Sequence, residues 1–212
     1  MMRTISGRLH RQRAFWLALF LWLSFASLPA ITGAVETPQQ RFFIGLAAGY
    51  LYPQQGIFRE IYSKAIWPVE LQLELAVGRK ISVFSAARYI ETSGNTILLV
   101  ARQPEETHAL RWRTATLRLG MNYRLSADRF TPFIGAGASA SFYREQWLDA
   151  PLASEGRKAG FFVQAGGRYR LQRRWHALVQ LEYASIPAGS GARGQVNLGG
   201  LSLFLGLLAG IF

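Results

Sequence analysis

From Ile66 to Val77 the chain reads IWPVELQLELAV, and apolar and polar residues alternate along it. Trp67, Val69, Leu71, Leu73, Leu75 and Val77 fall on one parity, and Glu70, Gln72 and Glu74 on the other. A period of two puts these sets on opposite faces of a β-strand, whereas a helix would scatter the carboxylates around its circumference. The segment matches the ~9–11 residues that a tilted strand needs to cross a bilayer.

The same alternation recurs along the chain. Phe42 to Tyr52 places Phe42, Ile44, Leu46, Ala48 and Tyr50 against Gly45, Ala47 and Gly49. Pro53 breaks that strand, and PQQGIFREIYSKA reads as a loop. After Ile66–Val77 a short turn at Gly78-Arg79-Lys80 leads to a third strand, Ile81 to Ile90. Residues 91–107 read as a long loop, although TILLVA within it could extend a strand. Further strands are predicted over His108–Leu125, Phe130–Glu145, Lys158–Leu171, Trp175–Ile186 and Gln195–Phe212. Short turns at 126–129 and 172–174 alternate with longer connections at about 147–157 and at PAGSGARG. Eight strands joined alternately by long and short connections have the rhythm of an outer-membrane barrel, with longer loops outside and tight turns in the periplasm.

Side-chain size indicates which face is inside. The polar face is crowded with Gly45, Ala47, Gly49, Gly135, Gly137, Ser139, Gly160 and Gly166. Water sets no limit on bulk, but the interior of an eight-stranded barrel is only just wide enough to be filled. Aromatic residues sort to the strand ends: Tyr50, Tyr52, Trp67, Tyr89, Trp112, Phe142, Trp147 and Tyr183 at one, Phe42, Tyr123, Phe130, Phe133, Tyr169 and Trp175 at the other. Two such belts are expected where rings meet headgroups. The predicted fold class is all-β: an eight-stranded antiparallel up-and-down transmembrane β-barrel over residues 35–212.

Composition sharpens this picture. The chain has 212 residues, 50% of them hydrophobic, yet no internal segment is apolar for the ~18 residues of a membrane helix. The formal charge is +12; Arg3, Arg8, Arg11 and Arg13 supply four of these in the acid-free first 34 residues, so residues 35–212 carry +8. A basic balance suits nucleic acid or an anionic membrane surface. With no Lys/Arg tract, zinc spacing or nucleic-acid motif, no nucleic-acid partner is expected. The absence of cysteine excludes a disulfide framework and thiol catalysis. Residues 1–34 run from the basic opening through the uncharged AFWLALFLWLSFASLPA to Thr32-Gly33-Ala34, the pattern of a helical, cleaved secretory signal peptide, with Ala30 as a second possible cut site.

The stretches FIGLAAGYLYP, PFIGAGASASFY (Pro132 to Tyr143) and VNLGGLSLFLGL (Val196 to Leu207), with the terminal Phe212, resemble the small outer-membrane β-barrel family of Gram-negative bacteria, the OmpA/OmpX-like and opacity-protein-like group. The resemblance covers about residues 41–212. It implies residence in the outer membrane, contact with its lipid and lipopolysaccharide, and a monomer. Phe212 resembles the signal that such proteins present to the barrel assembly machinery. It shares a parity with Phe204 and Leu208, while Leu201, Leu203, Leu205 and Leu207 share the other. Either the terminus is bulged, or the leucines set the lipid face and the signal is weakened.

The expected lumen carries Glu70, Glu74, Glu145 and Glu182 with Arg88, Arg118, Arg168 and Arg170. Mixed signs predict paired charges that plug the interior, since each unpaired one would cost several kcal/mol of desolvation. The alternative is a polar path that makes a narrow passive pore for small solutes. Arg111 and Arg113, on the outward parity near the expected surface end, are candidates for lipopolysaccharide phosphate, because guanidinium forks suit that group; the plainer reading is two solvated arginines at a loop base. Lipid A-modifying enzymes also occur on such barrels and resemble this chain near its end, but they carry a His-x-Ser-Asn motif. The counterpart here is Tyr183-Ala184-Ser185-Ile186, which leaves Ser185 no adjacent base to activate it. His108 and His176 lie near opposite ends of their strands, where structural roles are expected. No enzyme activity, metal or cofactor is expected. The role predicted is structural or surface-interactive, in a porin-like scaffold of the cell envelope.

Overall fold

The computed structural model describes residues 42–62, 65–98, 106–126, 128–149, 152–191 and 194–211. The predicted signal segment and Phe212 lie outside the described residues. Eight strands close into one antiparallel barrel: β1 (Phe42–Pro53), β2 (Val69–Ala76), β3 (Ile81–Leu98), β4 (Glu106–Arg124), β5 (Phe130–Trp147), β6 (Ala153–Arg170), β7 (Trp175–Ser185) and β10 (Gly200–Gly210). Each pairs with its neighbours in sequence, and β10 closes the ring on β1, from Phe43 opposite Gly210 to Pro53 opposite Gly200. Two small strands, β8 (Pro187–Gly191) and β9 (Gly194–Asn197), form a separate hairpin between β7 and β10.

The alternation reads directly as inside and outside. On β2, Val69, Leu71, Leu73 and Leu75 are exposed, while Glu70, Gln72 and Glu74 are buried. The same holds on β1 and β10, where Leu201, Leu203, Leu205 and Leu207 face out and Phe204 and Leu208 face in. The leucines therefore set the outer face of the last strand. Leu46, Leu117, Leu119, Met121, Val163, Val179 and Leu205 extend the exposed apolar surface around the wall, several of them at or above half exposure. Soluble monomers rarely expose apolar patches beyond a few hundred Å², so this wall requires an apolar solvent.

The strands are unequal. β3 to β6 run 18 or 19 residues, but β1, β2, β7 and β10 only 8 to 12. The barrel is therefore tall on one side at the end where the long connections lie. Residues 91–98, expected in a loop, are strand, as are Ala153 to Arg157, and the expected start of the last strand at Gln195 belongs to the β8–β9 hairpin. In ETSGNT and ASEGR neither face is apolar. A period of two marks a strand only where one face meets lipid or a core; above that level the backbone ladder alone holds it.

The connection between β1 and β2 forms a one-turn-and-a-half helix, α1 (Gly56–Ile61), that folds over the outer mouth. Arg59 donates to the Pro53 carbonyl at 3.0 Å, and the Tyr62 N–H closes the helix on Phe58 at 2.9 Å. The helix end comes against β3 at Gly94, where a Cβ would collide with the Ile61 carbonyl and approach the Tyr62 ring to 2.9 Å. Tyr62, Ile66, Leu51, Ile90, Leu110 and Trp112 form a buried apolar cap there, with Phe58, Ile61, Tyr143 and Trp147 packed on it. Trp112 and Phe133, expected in the aromatic belts, are instead inside: Trp112 in the cap and Phe133 in the core at the short-turn end. The outward rings Tyr50, Tyr52, Trp67, Tyr89, Phe142 and Tyr183 line the tall end, and Tyr123, Tyr169 and Trp175 the short-turn end.

Candidate functional site: the ion-paired interior

The alternation of β2, β3, β4, β6 and β7 aims charged side chains at the barrel axis. Six charged residues are buried among the described ones: Glu70, Glu74, Glu182, Arg88, Arg118 and Arg168. Glu70 is the register partner of Arg88, and its Oε2 lies 2.7 Å from the Arg88 guanidinium and 2.6 Å from that of Arg118. Arg88 grips Glu182 with both Nη atoms, at 2.8 and 3.0 Å. Arg118 also reaches Glu182, and donates to Gln164 Oε1 at 3.0 Å.

Four residues further along β2, roughly 13 Å in an extended strand, Glu74 pairs with Arg168 and accepts from Gln72 at 3.1 Å. Gln164 donates to Asn122 at 2.7 Å and so links the two levels. In the ring order, β3 lies opposite β7 and β2 opposite β6. Arg88–Glu182 and Arg168–Glu74 are therefore diametric, and the bore is bridged at two heights.

Aromatic rings back every guanidinium. Arg88 lies over Phe204 at 4.4 Å, Arg118 over Phe162 at 4.0 Å and Arg168 over Phe133 at 5.2 Å. The negative ring faces attract these cations and keep water from that side of each fork. The register explains how the rings fit. Gly120 stands opposite Gly137, and a Cβ on Gly137 would meet the Leu119 carbonyl and come within 2.6 Å of Phe162. A Cβ on Gly166 would likewise come within 2.7 Å of Phe133, and one on Gly49 within 2.7 Å of Phe204, so inward glycines of β5, β6 and β1 make the space these rings occupy.

Between the ionic layer and the apolar cap lies a cavity of about 30 Å³ whose lining includes Thr114, Thr116, Ser139, Ser141 and Ser202. Thr116 and Ser141 bond each other at 2.9 Å. A space of this size holds about one water.

The remaining predicted residues are placed elsewhere. Glu145 is six residues along β5 from Ser139, the register partner of Arg118, or roughly 20 Å from that level. It accepts a hydrogen bond from Tyr62 at 3.1 Å under the cap, so it belongs to the cap and not to the ionic layers. Burial, reinforced by the Glu145 charge and hydrogen bond, pushes the Tyr62 phenol well above its ordinary pKa. Arg170 is half-buried, two residues closer than Arg168 to the short-turn mouth. Arg111 and Arg113 face the outer side of β4 and converge on Glu91, at 3.7 and 3.2 Å, while Tyr89 donates to the same carboxylate at 2.8 Å.

Sequence reading missed Gln164, Asn122 and Gln180 as members of the interior network; their inward parity was the available signal. It also missed Asn197, whose Nδ2 reaches Ser185 Oγ at 3.2 Å and Gln54 at 3.0 Å and whose Oδ1 accepts from the Ile186 and Gly199 amides at 2.8 Å. His108 packs against Trp147 and His176 against Phe43. Neither histidine contact brings a base to Ser185.

By sequence the chain matches no family model and no curated protein. By structure it aligns with Neisserial surface protein A at a TM-score of 0.56 and 11% identity, over 80% of this chain and 97% of that one. The fold is that of the small outer-membrane barrels. Outer membrane protein OprG from Pseudomonas aeruginosa aligns at 0.54 and 14% identity, over 83% and 98% of the two chains. A major outer membrane protein from Thermus thermophilus aligns at 0.53 and 12%, over 79% and 98%. At these identities the likeness is one of fold alone.

Proposed function

We propose that this is an outer-membrane barrel with a plugged interior, acting as a structural or surface-interaction element of a Gram-negative envelope. The observation that carries the reading is the pair of diametric ion bridges, Arg88–Glu182 and Arg168–Glu74, backed by phenylalanines and overlain by the α1 cap. A solute would have to separate buried opposite charges at two levels, each separation costing several kcal/mol. The apolar outer wall and its two aromatic borders support placement in a bilayer. The raised β3–β6 wall supplies the surface presented outside it.

Export by cleavage near Ala34, a monomeric state and recognition of Phe212 by the barrel assembly machinery complete the proposal. Arg111 and Arg113 contact lipopolysaccharide in this reading: they stand on the outer face of the tall end, where phosphate-bearing headgroups would be met. Planar-bilayer recording with the full mature chain tests the plug. No steady conductance is expected; large, reproducible single-channel steps would refute it and establish the narrow pore.

A further inference from the structure

The outer wall between β3 and β6 carries a second feature that the Arg111–Arg113–Glu91 cluster does not exhaust. Arg113 on β4 is directly opposite Arg144 on β5 in the strand register. Arg157 on β6 is opposite Phe142, and thus diagonal to Arg144. All three arginines face outward and are exposed. Directly opposed side chains have Cβ atoms ~5 Å apart and diagonal ones ~7–8 Å, and like charges in such positions repel. Glu91 engages Arg113, but among the described residues no acid forms an ion pair with Arg144 or Arg157. Glu155 stands opposite Arg144 in the register and is the one carboxylate among the groove's lining residues; with Arg111 and Arg113 sharing Glu91, four guanidiniums meet two acids on this face.

These residues rim an open groove of about 560 Å³ whose lining also includes Tyr89, Ala115 and Phe142. Tyr89 and Phe142 are 48% and 43% exposed. Toward the short-turn end from them on the same outer face come Leu117 and Leu119, at 57% and 62%. The groove is therefore cationic at its tall end and apolar at the end that continues into the lipid-facing wall. A free anion would use only the first half of it. A phosphorylated acyl lipid uses both, with its phosphate among the arginines and its chains along the wall.

We propose that Arg113, Arg144 and Arg157, over a floor of Tyr89 and Phe142, form a binding groove for the phosphate of an outer-leaflet glycolipid. This rests on the lipopolysaccharide contact proposed above and moves its centre from Arg111 to the β4–β6 face. Guanidinium forks suit a phosphate bidentately, and the neighbouring apolar surface excludes water from one side of the contact.

The full mature chain, purified and exchanged free of endogenous lipid, is loaded with bisphosphorylated lipid A or with the same lipid after removal of both phosphates. Bound lipid is then counted by native mass spectrometry. Heat-modifiable gel migration confirms that every variant is folded. The wild-type chain is expected to retain the phosphorylated lipid about tenfold better than the dephosphorylated one, and Arg144→Gln/Arg157→Gln is expected to lose about tenfold in retention. If that variant retains the lipid like wild type while Arg111→Gln/Arg113→Gln loses it, the groove is overturned and the simpler contact stands. If wild type does not discriminate the two lipids, both fall. Full displacement of the lipid by millimolar inorganic pyrophosphate would overturn the acyl half of the site.

Discussion

Replacing Arg118 with Met tests the interior most directly. The Arg118 side chain is 1% exposed, and it holds Glu70 at 2.6 Å, Gln164 at 3.0 Å and Glu182. Methionine keeps an aliphatic stem against Phe84 and Phe162 but removes the charge. Three buried carboxylates would then face two buried guanidiniums, Arg88 and Arg168. Arg88 reaches both Glu70 and Glu182 but can neutralise only one. Removing one partner of a buried pair costs ~3–5 kcal/mol, a hundred- to several-thousand-fold in the folding equilibrium at about 1.4 kcal/mol per decade. Adding Glu70→Gln restores the balance, leaving Arg88 with Glu182 and Arg168 with Glu74, so the double variant should recover most of that loss. Urea unfolding from phospholipid vesicles, followed by tryptophan fluorescence and gel migration, measures both. A single-variant loss under about 1 kcal/mol, the value of an exposed pair, would refute the reasoning. So would a double variant no more stable than the single.

Three other expectations follow from the geometry. Gly137→Ala sets a methyl against Phe162 and the Leu119 carbonyl, and should destabilise the barrel by ~1–3 kcal/mol in the same unfolding assay. Asn197→Ala strands the Ile186 and Gly199 amides; a cost of ~1–3 kcal/mol there should show as faster proteolysis within residues 187–197, with the barrel itself intact. Tyr62 should give a late component when absorbance near 295 nm is followed to high pH, and that component should be missing in Tyr62→Phe. Its folded pKa is raised, so the stability it contributes is fully present below about pH 10, the unfolded value, and is lost as pH rises beyond it.

The order in which residues face lipid or lumen was legible in the chain itself. On β2, for example, Val69, Leu71, Leu73 and Leu75 alternating with Glu70, Gln72 and Glu74 leave a strand only one way to sit in a wall with lipid on one side. Gly135, Gly137 and Ser139 likewise announced a crowded interior, and the long-short rhythm of connections announced closure. Where lipid no longer dictates the pattern, that information ends. ETSGNT is strand because β4 runs beside it, and no property of its own side chains says so. Which charge meets which is also outside the reach of alternation: parity sends Glu145 and Glu182 alike toward the axis, but only closure of the ring sets β7 opposite β3 and brings Glu182 to Arg88. Burial of Trp112 beneath α1, the approach of Asn197 to Ser185 and the alignment of Arg113, Arg144 and Arg157 across three strands have the same origin. Each depends on distances between residues far apart in the chain, which hydrogen-bonded register and barrel curvature decide and local sequence does not.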